Sequence, residues 1–147
     1  MARKPPVNRD KKPRRSHKIQ PVCKAILLAE KIIRDENSRA FTLISLFSQF
    51  TIPGFPFTLT PFYLYAKLCD GIKGTYSMEI EVQDLQNHIV VAKWSGMTVR
   101  FSYRPETVDV IVLVQPIALI LPSSVYAVVL FVDGQAVGDQ KFTIKVN

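Results

Sequence analysis

Cysteine, histidine and glycine are all scarce in this chain, and each scarcity removes a class of chemistry. Two cysteines, Cys23 and Cys69, do not make a disulfide framework, so two buried reduced thiols are expected. Two histidines, His17 and His88, come with no CxxC or HxxxH spacing, and a metal centre needs converging His, Cys or carboxylate ligands; no metal and no cofactor are expected. Six glycines form no G-x-S-x-G elbow, no P-loop and no G-x-G-x-x-G turn. A triad can be assembled on paper from Ser95, His88 and Asp84, as in any protein of this size. Glu79 and Glu81 fall two apart on one strand face, which suits a solvated surface better than an acid/base pair. The expectation is a protein that is not an enzyme.

A secretory leader is also missing from the reading, because the apolar run after the basic start, Ala25–Ala29 between Lys24 and Glu30, is too short to serve as its core. One stretch is long enough to span a bilayer, the 23 uncharged residues between Asp109 and Asp133. Gln115-Pro116 and Pro122-Ser123-Ser124 cut it into pieces and β-branched residues dominate it. Two strands buried on both faces or nearly so, Val108–Val114 and Val125–Val132, joined by a proline-containing loop, are expected in place of a transmembrane segment.

What the chain does have is segregated charge. Residues 1–20 hold eight Lys/Arg against the single acid Asp10, and the eleven basic and eleven acidic side chains from residue 21 onward cancel, so the net +7 of the 147 residues belongs to the N-terminus. With three prolines, no aromatic residue and almost no aliphatic one, residues 1–20 cannot bury enough apolar area to offset their ordering entropy, and a disordered basic arm is expected. Arg9, Lys11, Lys12, Arg14, Arg15 and Lys18 are its candidate polyanion-binding residues. They would release counterions from nucleic acid or an anionic surface without reading sequence, since no aromatic side chain is interleaved for base stacking.

Residues 21–147 read as one domain. Val22–Arg34 fits either a helix face (Ile26, Ala29, Ile33) or a strand face (Ile26, Leu28, Ile32). Asp35-Glu36-Asn37-Ser38 is a turn, and Ala40–Phe50 a second strand, so 22–50 reads as a hairpin. Ile52–Pro61 is a proline-rich loop in which Phe55 and Phe57 are candidate protein contacts, although capping the core is the more ordinary role for both rings. Phe62, Leu64, Ala66 and Leu68 then alternate with polar or aromatic neighbours. Tyr76, Met78, Ile80 and Val82 alternate with Thr75, Ser77, Glu79 and Glu81. Ile89–Trp94 and Thr98–Tyr103 are split by Ser95-Gly96, and Asp133-Gly134 opens a closing hairpin in which Phe142, Ile144 and Val146 alternate with Lys141, Thr143 and Lys145. About eight short strands between turn signals point to an all-β fold, an antiparallel two-sheet sandwich of Ig-like or C2-like kind.

The run Ile26-Leu27-Leu28-Ala29-Glu30-Lys31, the strand Phe41-Thr42-Leu43-Ile44-Ser45-Leu46-Phe47-Ser48-Gln49-Phe50, the strand Phe62-Tyr63-Leu64-Tyr65-Ala66-Lys67-Leu68 and the closing Tyr126…Asp133-Gly134 hairpin together resemble an uncharacterised bacterial β-sandwich family, a domain of unknown function (DUF6941-like). The resemblance covers about residues 22–147. It implies a strand for the ambiguous first segment and a bacterial, cytoplasmic setting, and it carries over no catalytic or ligand-binding residue.

The functional expectation is a non-enzymatic binding or assembly domain. Its basic arm would tether it to nucleic acid or another polyanion, and a protein partner or a second copy would meet a sheet edge or the 52–61 loop. Two alternatives stand beside it. One is a small-ligand carrier or enzyme with a pocket between the sheets, built around Tyr63, Tyr65 and Tyr103. The other is a membrane-associated protein using residues 110–132.

Overall fold

Alternating side chains from Phe62 onward set the frame of the molecule. In a computed structural model, which describes residues 19–147, every regular element is a strand and no described residue is helical. The strands are β1 (Val22–Arg34), β2 (Phe41–Leu46), β3 (Gln49–Ile52), β4 (Phe57–Leu59), β5 (Phe62–Cys69), β6 (Gly74–Asp84), β7 (Ile89–Phe101), β8 (Val108–Val114), β9 (Ile117–Leu119), β10 (Val125–Val132) and β11 (Gln135–Val146). One sheet has the order β2-β1-β5-β8, a second β3-β11-β10-β6-β7, and a small third sheet pairs β4 with β9.

The alternation works as expected in β6, where Tyr76, Met78, Ile80 and Val82 are buried and Thr75 and Ser77 are exposed. Central β10 is buried throughout Tyr126–Leu130, with Tyr126, Val128 and Leu130 turned into the core. Rings tie the two larger sheets together. Phe62 on β5 lies 6.3 Å from Phe142 on β11 and 5.7 Å from Phe50 on β3, centroid to centroid. Leu28, Leu64, Leu68 and Val110 from one sheet join Ile80, Val82, Val128 and Leu130 from the other in a single buried cluster.

The structure corrects the sequence reading at six places. The chain has eleven strands among its described residues where about eight were expected. The pairing is not wholly antiparallel, because β3 runs parallel to β11, with Gln49 opposite Thr143 and Ile52 opposite Val146. The expected second strand of the 22–50 hairpin is divided. Phe41–Leu46 pairs with β1, the chain then crosses at Phe47-Ser48, and Gln49–Ile52 joins the other sheet. Phe47 drives that crossing by packing its ring on Phe50 and Phe62, at 4.4 and 5.4 Å. The 52–61 segment is not all loop, since Phe57–Leu59 pairs with Ile117–Leu119. Ser95-Gly96 does not split two strands. It is an irregularity within β7, where Gly96 at φ +82° takes up the shift between the Met78–Met97 and Ile80–Trp94 pairs. Finally, β8 is not buried on both faces, because it is the outer strand of its sheet and leaves Leu113 exposed.

The β1–β2 hairpin also curls. Tyr65 pairs with Leu27, while Phe41 pairs with Arg34, seven residues further along β1, or about 23 Å on a straight strand at ~3.3 Å per residue. The Phe41 and Tyr65 rings are nevertheless 6.3 Å apart, so the hairpin bends back over the outer face of its sheet, which accounts for the burial of Tyr65.

Candidate functional site

Two polar residues are buried among those described, Asp84 at 1% exposure and Ser123 at 6%, and they belong together. Asp84 is the last residue of β6, on the inward side of the alternation that buries Val82. Its carboxylate is placed to receive the turn that follows. The N–H groups of Gln86 and Asn87 both donate to Oδ1 at 3.0 Å, and Asn87 Nδ2 donates to Oδ2 at 2.7 Å. The Ser123 hydroxyl, from the segment before β10, donates to Oδ1 at 2.7 Å.

Two further bonds cross between the same segments. Asn87 Nδ2 donates to the Pro122 carbonyl at 3.2 Å, and the Ser124 N–H donates to Gln86 Oε1 at 3.0 Å. Burial works to raise the Asp84 pKa, but the bonds from Asn87, Ser123 and the two backbone N–H groups outweigh it and hold the carboxyl below its ordinary value. A carboxylate accepting four bonds from neutral donors is stable as an ion without a cation beside it. Its chemistry is spent on holding two loops.

These two loops carry apolar side chains into solvent. Ile89 and Val90 open β7 at 43% and 51% exposure, and Ile120 and Leu121, between β9 and Pro122, stand at 65% and 51%. A cavity of about 180 Å³ lies between them, lined by Asp84, Ile89, Val91, Leu119, Ile120 and Tyr126 among others. A second, of about 270 Å³, lies along Gln83–Leu85 and His88–Val90. Both are smaller than the ~300 Å³ at which small-molecule pockets usually begin.

The other residues singled out in the sequence are scattered. His88 and Ser95 are exposed, and the serine that meets Asp84 is Ser123. Glu79 and Glu81 both reach Lys93, at 3.5 and 3.8 Å, as neighbouring strands on one solvated face do. Phe55 and Phe57 are half-buried and pack against the core. Cys23 and Cys69 are free thiols on adjacent strands. Cys23 pairs with Leu68 and Cys69 with Val22, so they point to opposite faces. Of the three tyrosines proposed to line a pocket between the sheets, Tyr65 instead donates to Asp109 at 2.5 Å and Tyr103 is exposed. Arg9, Lys11, Lys12, Arg14, Arg15, Lys18 and His17 lie outside the described residues. The described chain starts from a fixed point, because the Tyr76 hydroxyl donates to the Ile19 carbonyl at 2.8 Å. No group of three or more His, Cys, Asp or Glu side chains able to hold a metal occurs among the described residues, and no helix there is long and apolar enough to cross a membrane.

The sequence reading missed Ser123 and the apolar end. A strand-ending Asp in Asp84-Leu85-Gln86-Asn87 was a readable sign of an Asp-capped turn. Its partner 39 residues away was not.

The fold and this cluster define a class, an all-β protein whose buried polar group secures its loops. Within that class the chain belongs to a family of unknown function, DUF6941, whose profile matches residues 24–145. No curated protein matches the chain.

Proposed function

We propose that this chain is a binding and assembly domain of a bacterial cytoplasm, in which the two larger sheets form an Ig-like or C2-like sandwich that acts as a rigid scaffold. The basic N-terminus is its tether to nucleic acid or another polyanion. The observation that carries the reading is the division of labour along the chain. The net charge of +7 lies in residues 1–20, the rest is neutral, and the junction at Ile19 is pinned by Tyr76. A tether leaving a scaffold at a fixed point confers electrostatic attraction without deforming the scaffold. The absorption of Asp84 into loop architecture supports a role without catalysis.

The test is binding of the full chain to a mixed-sequence duplex across a salt series, followed by fluorescence anisotropy. With six cations engaged, the logarithmic salt slope should approach about −5. The quadruple variant Lys11→Gln, Lys12→Gln, Arg14→Gln, Arg15→Gln should lose most of that slope. Unchanged affinity in the variant would remove the tether from the account.

A further inference from the structure

We propose that the far part of the β1–β2 hairpin, residues 30–45, is a hinged strap that bends at Glu30 and Ser45 and, when closed, screens Tyr65 on the outer face of its sheet. This goes beyond the reading of the chain as a tethered scaffold and does not depend on it.

The hinge lies where pairing lapses. The β1–β5 ladder ends at Ala29–Tyr63, and past that point β1 is paired with β2. The β1–β2 ladder passes from Ala29–Leu46 to Lys31–Ile44 and skips Glu30 and Ser45. Ser45 there takes φ +56°, a left-handed backbone that is unfavourable for a residue with a side chain. Straightening the hairpin returns Ser45 to extended backbone, so opening releases strain that the closed form holds.

One ring holds the strap down. Of residues 30–45, only Ile32, Phe41 and Leu43 are partly buried. The Phe41 ring packs on Tyr65 at 6.3 Å, and the Arg34 guanidinium, 5.8 Å from the Phe41 centroid, steadies that ring from the same hairpin. A two-stranded hairpin with so little cover is marginally stable in water, and such segments open well below the free energy of global unfolding. Beneath the strap, Leu27, Tyr65 and Ile111 stand side by side across β1, β5 and β8, and the Tyr65 hydroxyl donates to Asp109. Closed, the strap leaves Tyr65 at 8% exposure. Open, it turns that row into an accessible face.

Residue-resolved hydrogen exchange of the full chain tests this, with Phe41→Ala as the variant. In the wild type, the bonded amides of 31–34 and 41–44 should exchange through one shared opening, at least about tenfold faster than those of 22–28. Phe41→Ala should speed that opening by about two- to tenfold, the range that one lost ring pair gives, and leave 22–28 unchanged. It should also bring the Tyr65 titration down from about 12 toward its ordinary 10, because burial is the main cause of the rise. Exchange that grades outward from the turn at 35–38 is ordinary fraying and overturns the proposal. So does a hairpin that exchanges in step with 22–28, or a Tyr65 titration that Phe41→Ala leaves in place.

Discussion

Ser123 and Asp84, 39 residues apart, share a 2.7 Å hydrogen bond that joins the turn after β6 to the segment before β10. Each residue is buried, and the hydrogen bonds that hold the Asp84 carboxylate come from neutral donors. Removing the carboxylate leaves a hydroxyl, an amide and two backbone N–H groups short of an acceptor. Asp84→Ala should therefore lower stability by about 3 kcal/mol, since single bonds to charged groups contribute ~1.5–3 kcal/mol and unpaired buried donors add cost. Urea denaturation checks this, as a lower midpoint at unchanged slope.

The same carboxylate gives a pH dependence of known sign. Its folded pKa lies below the ordinary Asp value of 3.8, so the stability it contributes is present above that value and is lost as the pH falls through the lower, folded one. Denaturation midpoints measured from neutral pH downward should fall in that acid window. Asp84→Asn should flatten this part of the profile.

Alkaline titration should show late phenols, because burial raises the pKa of both Tyr65 and Tyr126. Burial, and then the hydrogen bond and negative charge of Asp109, push the Tyr65 pKa up to about 12. Tyrosinate absorbance against pH should show a late component that Tyr65→Phe diminishes, leaving the contribution of Tyr126. A late component that the substitution leaves undiminished would contradict this.

Where β1 meets β11, a close approach makes its own prediction. A Cβ at Gly138 would lie 2.9 Å from Cys23 Sγ and 3.3 Å from its Cβ. Gly138→Ala should cost about 1–3 kcal/mol through overpacking. Cys23→Ala in the same chain should recover part of that loss, a non-additivity that a double-mutant cycle detects.

The strands were legible wherever one face is dry and one is wet, as in β6, and wherever a turn carries its own chemistry, as at Asp133-Gly134, where both residues take positive φ. The boundaries Val22–Arg34, Val108–Val114 and Val125–Val132 coincide with the sequence reading. What was not legible depends on distant partners. Ala40–Phe50 is continuous in its pattern, and only the rings of Phe50, Phe62 and Phe142 decide that the chain changes sheets at Phe47. The 57–59 strand exists because Ile117–Leu119 arrives beside it. Asp84 was visible as a residue and Ser123 as part of a break signal. Their bond was hidden, and with it the reason that Ile120 and Leu121 stand exposed on a fixed loop.

Hydrogen exchange on the wild type and on Asp84→Asn tests the central claim most directly, because that claim makes one buried carboxylate the clamp on both apolar loops. Amides of residues 86–90 and 120–124 should lose protection together in the variant, while β5 and β10 keep theirs. Unchanged protection in 120–124 would contradict the account.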